Sequence, residues 1–129
     1  YTRLTPNTIL GNSVNFNGTV IRGSGNVTIG NNYHSGKDIL MLNSYHQYVN
    51  ANAIPYDTKE SVHKDIVIED NVWVGDRITI LGGVTLGEGC IIQAGAVVTS
   101  SIEPFAIAGG NPAKVFKHRD KEAFLLNEK

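Results

Sequence analysis

Residues 66–102 read IVIEDNVWVGDRITILGGVTLGEGCIIQAGAVVTSSI, and the pattern in this stretch decides the fold. The stretch is rich in β-branched residues, yet it follows neither the two-residue alternation of a half-buried strand nor the stripe of an amphipathic helix. Read in groups of six, its first position holds only aliphatic residues: Ile68, Val74, Ile80, Leu86, Ile92 and Val98. Its fifth position holds residues of small or moderate size: Val72, Ile78, Val84, Cys90, Ala96 and Ile102. The stretch is therefore a repeat of six residues with two apolar positions in each unit.

This hexapeptide repeat is typical of a parallel β-helix, a solenoid in which three short strands form one triangular coil. Gly, Asn and Asp, which favour tight turns, stand between the aliphatic positions. Successive coils stack at the spacing of hydrogen-bonded strands, so side chains at equivalent positions form ladders inside a prism. We therefore predict an all-β fold in which Cys90 and Ala96 are packing residues.

The repeat is looser before residue 43, and it is absent between residues 43 and 65. In the N-terminal part, Val20 and Met41 fit two registers that differ by one residue, which predicts a slip at residues 23–26. Residues 43–65 contain three tyrosines and a proline but no sixfold pattern. Long insertions in solenoids cluster on a binding face, so we expect this loop to be functional.

The length of 129 residues fits one β-helix domain with a short tail. We predict the β-helix at residues 1–118, with a protruding loop at residues 43–65, and a helical tail at residues 119–129. The tail reads RDKEAFLLNEK and has the composition of a short amphipathic helix. We expect this helix to cap the open end of the prism.

The composition argues against several classes of protein. The formal net charge of −1 gives no overall field that would attract nucleic acid or an anionic membrane. No apolar run approaches the roughly 20 residues of a membrane-spanning helix, and the first residues do not have the pattern of a signal peptide. The single cysteine, Cys90, excludes an internal disulfide bond and favours a cytoplasmic location.

Four motifs, in this order, resemble the hexapeptide-repeat acyltransferases: NVWVGD at 71–76, GVTLGEG at 83–89, IQAGAVVT at 92–99 and GGNPAKV at 109–115. The resemblance is to the branch that contains galactoside, maltose and xenobiotic acetyltransferases. It implies a left-handed parallel β-helix that uses acetyl-CoA as acyl donor without a metal. It also implies a homotrimer whose active sites lie between subunits. The predicted function is transfer of an acetyl group to a carbohydrate hydroxyl, with surface polysaccharide biosynthesis as one setting.

Acetyl transfer from a thioester needs a base that removes the proton of the attacking hydroxyl. Neutral imidazole suits this step, because histidine titrates near pH 6.5 and accepts a proton at neutral pH. The resemblance places the base at the start of the loop, where His46 stands in LNSYHQY. A loop histidine packed against tyrosines is the alternative interpretation of His46. A covalent acyl-enzyme on Cys90 is not favoured, because the fifth position points inward.

The resemblance also assigns binding residues. The pantetheine arm of the coenzyme is expected along a coil edge at Ala94, Thr99 and Ser100, where relatives often carry a lysine in place of Ser100. The coenzyme phosphates need cations or hydrogen-bond donors. The residues expected to supply them are Lys114, Lys117 and Arg119. The residues expected to contact the acceptor are Asn15, Trp73 and Asp76.

Other functions stay open at the level of the sequence. A γ-class carbonic anhydrase has the same fold, and His34, His46 and His63 could supply the three ligands of its zinc. The close histidine pair of that class is missing, however. An antibiotic, or the amine of an amino sugar, could replace the sugar hydroxyl as acceptor. A solenoid without catalytic activity could also act as a scaffold.

Overall fold

Three sheets of short parallel strands form the sides of a prism in the computed structural model, which describes residues 1–128. In chain order, the elements are β1 (Thr8–Leu10), β2 (Thr19–Arg22), β3 (Val27–Ile29), β4 (His34–Ser35), β5 (Ile39–Leu42), β6 (Ser44–His46), β7 (Ser61–His63), β8 (Ile66–Ile68), β9 (Trp73–Val74), β10 (Thr79–Leu81), β11 (Thr85–Leu86), β12 (Ile91–Ile92), β13 (Val97–Val98), β14 (Ala106–Gly109), β15 (Lys114–His118) and helix α1 (Lys121–Glu128). Side 1 consists of β1, β3, β8 and β11, and side 3 consists of β2, β5, β10 and β13. Side 2 consists of β4, β9, β12 and β14, to which β15 adds an antiparallel edge. The chain passes side 1, side 2 and side 3 in each coil, which is the predicted parallel β-helix.

The inside of the prism is filled by the aliphatic ladders that the repeat predicts. None of the twelve first-position and fifth-position side chains between Ile68 and Ile102 is more than 5% exposed. Strand pairing places equivalent residues above one another, as with Ile80 and Val98. Burial of each large aliphatic side chain contributes about 1.5–3 kcal/mol, from which the entropy of ordering must be subtracted. Cys90 and Ala96 are fully buried, so both are packing residues, as predicted.

The N-terminal coil changes register earlier than predicted. Ile21 lies level with the inward residue of the next coil and is 3% exposed, whereas Val20 is only half-buried. The register predicted for Val20, which would turn its side chain inward, is therefore wrong. The cause is a short corner, because the spacing from Phe16 to Ile21 is five residues rather than six. A second change follows at residues 23–26, as predicted, since the spacing from Ile21 to Ile29 is eight residues.

A buried asparagine joins the slip segment at residues 23–26 to the start of the loop. Asn43 is 1% exposed, its Nδ2 donates to the carbonyl of Gly25 at 2.7 Å, and its Oδ1 accepts from the Gly25 N–H at 3.2 Å. Gly23 has a φ of 115°, and a Cβ at this position would clash with Oδ1 of Asn43. This corner therefore requires glycine. The corner fixes the point at which the loop leaves the prism.

The loop at residues 43–65 is ordered by a hairpin and by one carboxylate. β6 and β7 pair antiparallel, with Tyr45 opposite Val62. Near the tip, the Asp57 carboxylate accepts hydrogen bonds from the backbone N–H groups of Lys59 at 2.8 Å and Glu60 at 2.9 Å. These two bonds, that of Lys59 first, lower the pKa of Asp57 below its usual value. The aromatic-rich loop is thus a folded element.

Helix α1 lies along the corner between sides 1 and 2. Phe124 packs edge-on against Phe105, with ring centroids 5.1 Å apart, and its ring also approaches Gly89. Phe105 and Gly89 both belong to turns that lead from side 1 to side 2. The expectation that the helix caps the open end is therefore wrong, because Phe124 packs against turns on the outside of the prism. Within residues 1–128, no helix is long and apolar enough to cross a membrane.

Candidate active site

His46, the predicted base, is the last residue of β6, and its imidazole is exposed. The imidazole stacks on the ring of Tyr56, with 3.9 Å between ring centroids and 11° between ring planes. Tyr45, Tyr48 and Pro55 complete the walls of a groove of about 660 Å³, here called the hairpin groove. One face of the imidazole is therefore covered, while the rest of the ring borders an open groove. This stacking agrees with both interpretations of His46, as a base and as a loop histidine packed against tyrosine.

The hairpin that carries His46 is tied to the prism at its base. The Ser44 hydroxyl accepts a hydrogen bond from the Ser24 N–H at 2.9 Å and is also hydrogen-bonded to Nδ1 of His63. His63 is exposed and lies opposite Ser44 in the strand pair. The backbone of His46 is thus held by the prism, whereas the position of Tyr56 depends on the fold of the loop tip.

A second groove lies beside the base of the hairpin, on side 3. This base groove has a volume of about 290 Å³, and Thr99, Tyr45, Lys64 and Gly82 are among the residues that line it. It brings Thr99, a predicted coenzyme residue, next to the residue that precedes His46. Ser100 follows Thr99 on an exposed corner. The base groove therefore places one predicted coenzyme residue close to the predicted base.

Ala94 lies at the other end of β13 from Thr99. It packs closely on the coil below, because a Cβ on Gly75 would lie 2.9 Å from the nitrogen of Ala94. At Gly95, which has a φ of 80°, nothing lies within 4 Å of the position of a Cβ. The backbone at residues 94–95 is therefore open, as a coenzyme arm would require, but β13 separates it from Thr99.

Asn15 and Trp73, predicted to contact the acceptor, share one outward row on side 2. Asn15 bridges to His34, and His34 pairs with Trp73, so the three residues lie above one another. Trp73 is 53% exposed. The hairpin leaves the prism at the end of side 3, and neither the hairpin groove nor the base groove is lined by Asn15 or Trp73. Within residues 1–128, these grooves therefore do not bring His46 together with the side 2 row.

A third groove, the corner groove, lies between side 2 and α1. It has a volume of about 450 Å³ and is lined by Asn32, His34, Asn71, Val72, Trp73, Arg119, Phe124 and Asn127. Arg119 turns under α1, with its guanidinium carbon 5.1 Å from the ring centroid of Phe124. Lys114 and Lys117 lie exposed on β15, outside the corner groove. Arg119 thus lines a groove that neither lysine borders, although all three were expected to bind the coenzyme phosphates.

The Asp76 carboxylate is engaged in the prism itself. Its Oδ1 accepts a hydrogen bond from the Lys37 N–H at 2.8 Å, which joins two corners of successive coils. Asp70 makes the same type of bond to the Asn31 N–H at 2.7 Å. Corner carboxylates are therefore a repeated structural feature. This structural role explains the presence of Asp76 without a contact to the acetyl-accepting substrate.

The thiol of Cys90 has no access to a substrate. The side chain is fully buried, and burial raises the pKa of the thiol to about 12. The thiol is therefore protonated at neutral pH, where only a thiolate would be an effective nucleophile. A covalent acyl-enzyme at Cys90 does not fit this position.

The three histidines of the zinc alternative occupy three separate places. His34 borders the corner groove, His46 borders the hairpin groove and His63 bonds to the base of the hairpin. Among the described side chains, which end at residue 127, no group of three or more His, Cys, Asp or Glu could hold a metal ion. A single chain therefore does not bring the three histidines together as the zinc ligands of a γ-class carbonic anhydrase.

Two residues of these grooves were not identified from the sequence. Tyr56 was one of three loop tyrosines, and nothing in the spacing shows that it stacks on His46. For His34, the sequence suggests only a possible zinc ligand and no place in a groove. The available signal was its position, since His34 follows the fifth-position residue Tyr33 just as Trp73 follows Val72. That position is the outward one on side 2.

Comparisons with known proteins agree with the repeat. Residues 65–100 match the family model described as bacterial transferase hexapeptide (six repeats). A chloramphenicol acetyltransferase of Agrobacterium fabrum is 46% identical over 68 residues, which cover 50% of this chain and 32% of that protein. A chloramphenicol acetyltransferase of Klebsiella aerogenes is 34% identical over 109 residues, which cover 73% of this chain and 52% of that protein. The chain thus spans about a third to a half of the length of these two relatives.

A solved structure agrees with the fold. A galactoside acetyltransferase in complex with coenzyme A superposes with a TM-score of 0.78 at 29% identity, and the match covers 92% of this chain and 58% of that chain. The prism is therefore a left-handed parallel β-helix, as predicted.

Proposed function

Because the chain is related to the hexapeptide-repeat acetyltransferases in sequence and in fold, we propose that it is an acetyl-CoA-dependent O-acetyltransferase that acts on a carbohydrate hydroxyl. The observation that carries this proposal is the place of His46, on an anchored hairpin next to the groove that contains Thr99. A base for the hydroxyl proton and an edge for the thioester are the two parts that the reaction needs.

In the proposed reaction, His46 removes the proton of the acceptor hydroxyl while the oxygen attacks the thioester carbonyl. The carbon–sulfur bond of the tetrahedral intermediate then breaks, and the coenzyme leaves as a thiol that takes its proton from the imidazolium. Backbone N–H groups stabilise the oxyanion. The raised pKa of Cys90 supports direct attack in preference to a covalent intermediate.

The coenzyme arm is proposed to follow the coil edges where the backbone is open. Ala94, Thr99 and Ser100 are the residues assigned to it, and the bound coenzyme A of the galactoside acetyltransferase supports a coenzyme of this type. Lys114 and Lys117, both exposed on β15, are the cations assigned to the phosphates. Arg119 takes a different place, in the corner groove under α1.

A complete active site is proposed to form between two subunits of a homotrimer. His46 leaves the prism after side 3, whereas Asn15 and Trp73 face outward from side 2. A neighbouring copy would place its hairpin against side 2, and closed cyclic symmetry would repeat this contact at every interface. The groove next to Trp73 and the imidazole of His46 would then meet.

An antibiotic is the second candidate acceptor, and two observations favour it. The two relatives described above are chloramphenicol acetyltransferases. The hairpin groove is lined by three tyrosines, whose rings can contact an aromatic antibiotic as well as the apolar face of a sugar. A cytoplasmic location and a role in surface polysaccharide biosynthesis stay predictions.

A thiol-release assay tests the proposal and separates the two acceptors. The protein is incubated with acetyl-CoA and with one of three classes of compound, which are neutral sugars, amino sugars and antibiotics. We expect release of coenzyme thiol to depend on a sugar, and mass spectrometry to find the acetyl group on oxygen. Release with antibiotics alone would favour the second candidate, whereas the absence of acceptor-dependent release in every class would contradict the proposed activity.

A further inference from the structure

The corner groove contains a cation, Arg119, that pairs with no carboxylate among the side chains that the structure describes. Arg119 lines the groove, and its Nε is buried without a hydrogen-bond partner. Among the side chains of residues 1–127, the two ion pairs join Arg77 to Asp38 and His118 to Glu103, so neither involves Arg119. None of the described residues that line the groove carries a carboxylate. An unpaired guanidinium at a groove is a site where an anionic group would gain a partner.

The guanidinium of Arg119 is held in position before any ligand binds. The guanidinium lies over the ring of Phe124, at 5.1 Å from its centroid, and the backbone N–H of Arg119 donates to the carbonyl of Phe105 at 2.7 Å, which fixes the backbone from which this side chain extends. Phe124 in turn packs on Phe105. Because little side-chain freedom is left to lose, a ligand would bind with a smaller entropy cost than at a mobile surface arginine.

The remaining walls suit a ring that carries polar groups. Nε2 of His34 is hydrogen-bonded to Oδ1 of Asn32 at 3.1 Å, and Nδ2 of Asn32 donates to Oδ1 of Asn71 at 2.9 Å. These amides and the imidazole carry no negative charge that would repel an anion. Trp73 adds a flat apolar wall that is 53% exposed.

We propose that the corner groove binds a small molecule through a carboxylate, which pairs with Arg119 while a ring of the ligand lies against Trp73. A planar guanidinium matches a carboxylate with two parallel hydrogen bonds. Among the described residues that line the groove, Arg119 is the one permanent cation, which suits a single negative charge better than a doubly charged phosphate. If this ligand is the acetyl acceptor, the inference rests on the proposed function. It then limits the class of acceptors to sugars that carry a carboxylate.

The fluorescence of Trp73 tests the site directly, because it is the single tryptophan of the chain. The protein is titrated with methyl glucuronoside and with methyl glucoside, which differ by the carboxylate, at constant ionic strength and without coenzyme. We expect a saturable change with the glucuronoside and binding of the glucoside that is about tenfold weaker. Equal binding of the two compounds, or no response to the glucuronoside, would overturn the inference.

Substitution of Arg119 gives a second test. Arg119→Gln should weaken binding of the glucuronoside about tenfold, to the level of the glucoside, and Arg119→Lys should retain part of the difference. The matched control is Arg77→Gln, which removes the same charge from an exposed arginine outside the groove. A loss of coenzyme A binding in Arg119→Gln, with unchanged glucuronoside binding, would instead assign Arg119 to the coenzyme phosphates. If Arg119→Gln does not fold, the comparison of glucuronoside and glucoside binding by the wild type still tests the carboxylate site. Thiol release is measured separately, so a negative binding result leaves the proposed transferase activity in place.

Discussion

At the scale of single residues, the candidate site depends on how one imidazole is held. His46 has a fixed backbone, and the contact that orients its ring in the described chain is the parallel stack on Tyr56. A general base acts efficiently only when its nitrogen points at the proton that it removes. Tyr56 is therefore a positioning residue of the proposed reaction.

Replacement of Tyr56 should lower turnover without removing the base. We expect Tyr56→Ala to reduce kcat about tenfold, because the imidazole can then rotate away from the acceptor. Tyr56→Phe keeps the stacked ring and should retain wild-type kcat, which makes it the matched control. Steady-state thiol release with a saturating acceptor measures both variants. If Tyr56→Ala raised KM and left kcat unchanged, the ring would serve only to bind the acceptor.

The burial of Cys90 predicts an inert thiol. With a pKa of about 12, roughly one molecule in ten thousand carries a thiolate at pH 8. We expect a thiol-specific reagent to leave the native protein unmodified at this pH and to modify the protein fully in denaturant. Cys90→Ala should retain acetyl transfer at moderate temperature. Rapid labelling of the native protein, or complete loss of transfer in a folded Cys90→Ala, would restore the covalent mechanism.

At the scale of elements, the loop depends on the Asp57 carboxylate near its tip. The carboxylate bonds to the N–H groups of Lys59 and Glu60, and the pKa of Asp57 is lowered as a result. A carboxylate whose pKa is lower in the folded loop stabilises that loop at any pH above its unfolded value, about 3.9. The stabilisation is lost as the pH falls through the lowered folded value.

Acid should therefore open the loop tip before it unfolds the prism. Hydrogen exchange measures this change at the Lys59 and Glu60 amides, after correction for the intrinsic effect of pH. We expect their protection to be constant from pH 7 to about 5 and to fall below about pH 4. At pH 7, Asp57→Asn should expose the same amides, whereas the control Asp38→Asn, at an exposed corner, should not. Equal protection in Asp57→Asn and the wild type would show that the carboxylate does not order the tip.

The elements that follow the repeat could be predicted from the sequence, and those that depend on corner length could not. From Ile68 onward, each first position is aliphatic, and the buried ladder follows directly. Before residue 43, the corner between Phe16 and Ile21 is one residue short, and no residue type marks that deletion. The place of α1 is set by contacts of Phe124 with distant corners, which a local pattern does not contain. The stack of Tyr56 on His46 likewise joins residues from the two halves of an unpatterned loop.

At the scale of the whole molecule, the residues assigned to catalysis and to the acceptor lie on different sides of the prism. His46 follows side 3, and Trp73 lies on side 2. In the proposed trimer, a site shared between subunits would join them. The candidate site could therefore be predicted residue by residue but not as one assembled groove. Under this proposal, activity is a property of the assembly.

Mixed assemblies test the shared site. We expect His46→Ala and Trp73→Ala each to be nearly inactive alone, and a co-expressed mixture to regain about a quarter of wild-type activity, because one interface in four would then combine an intact His46 with an intact Trp73. Sedimentation should find three chains of 14.0 kDa per particle. If the mixture stayed inactive although mixed particles formed, the two residues would belong to the same subunit's site or to separate sites.

The proposed role of His46 as general base is tested by kcat for thiol release by His46→Ala with a saturating acceptor. We expect a loss of about 10²–10⁴-fold, with acetyl-CoA binding unchanged by calorimetry. The matched control is His118→Ala, since His118 bonds to Glu103 on the exposed surface at 2.8 Å and should be dispensable for turnover. If His46→Ala kept the kcat of the wild type, His46 would not be the general base.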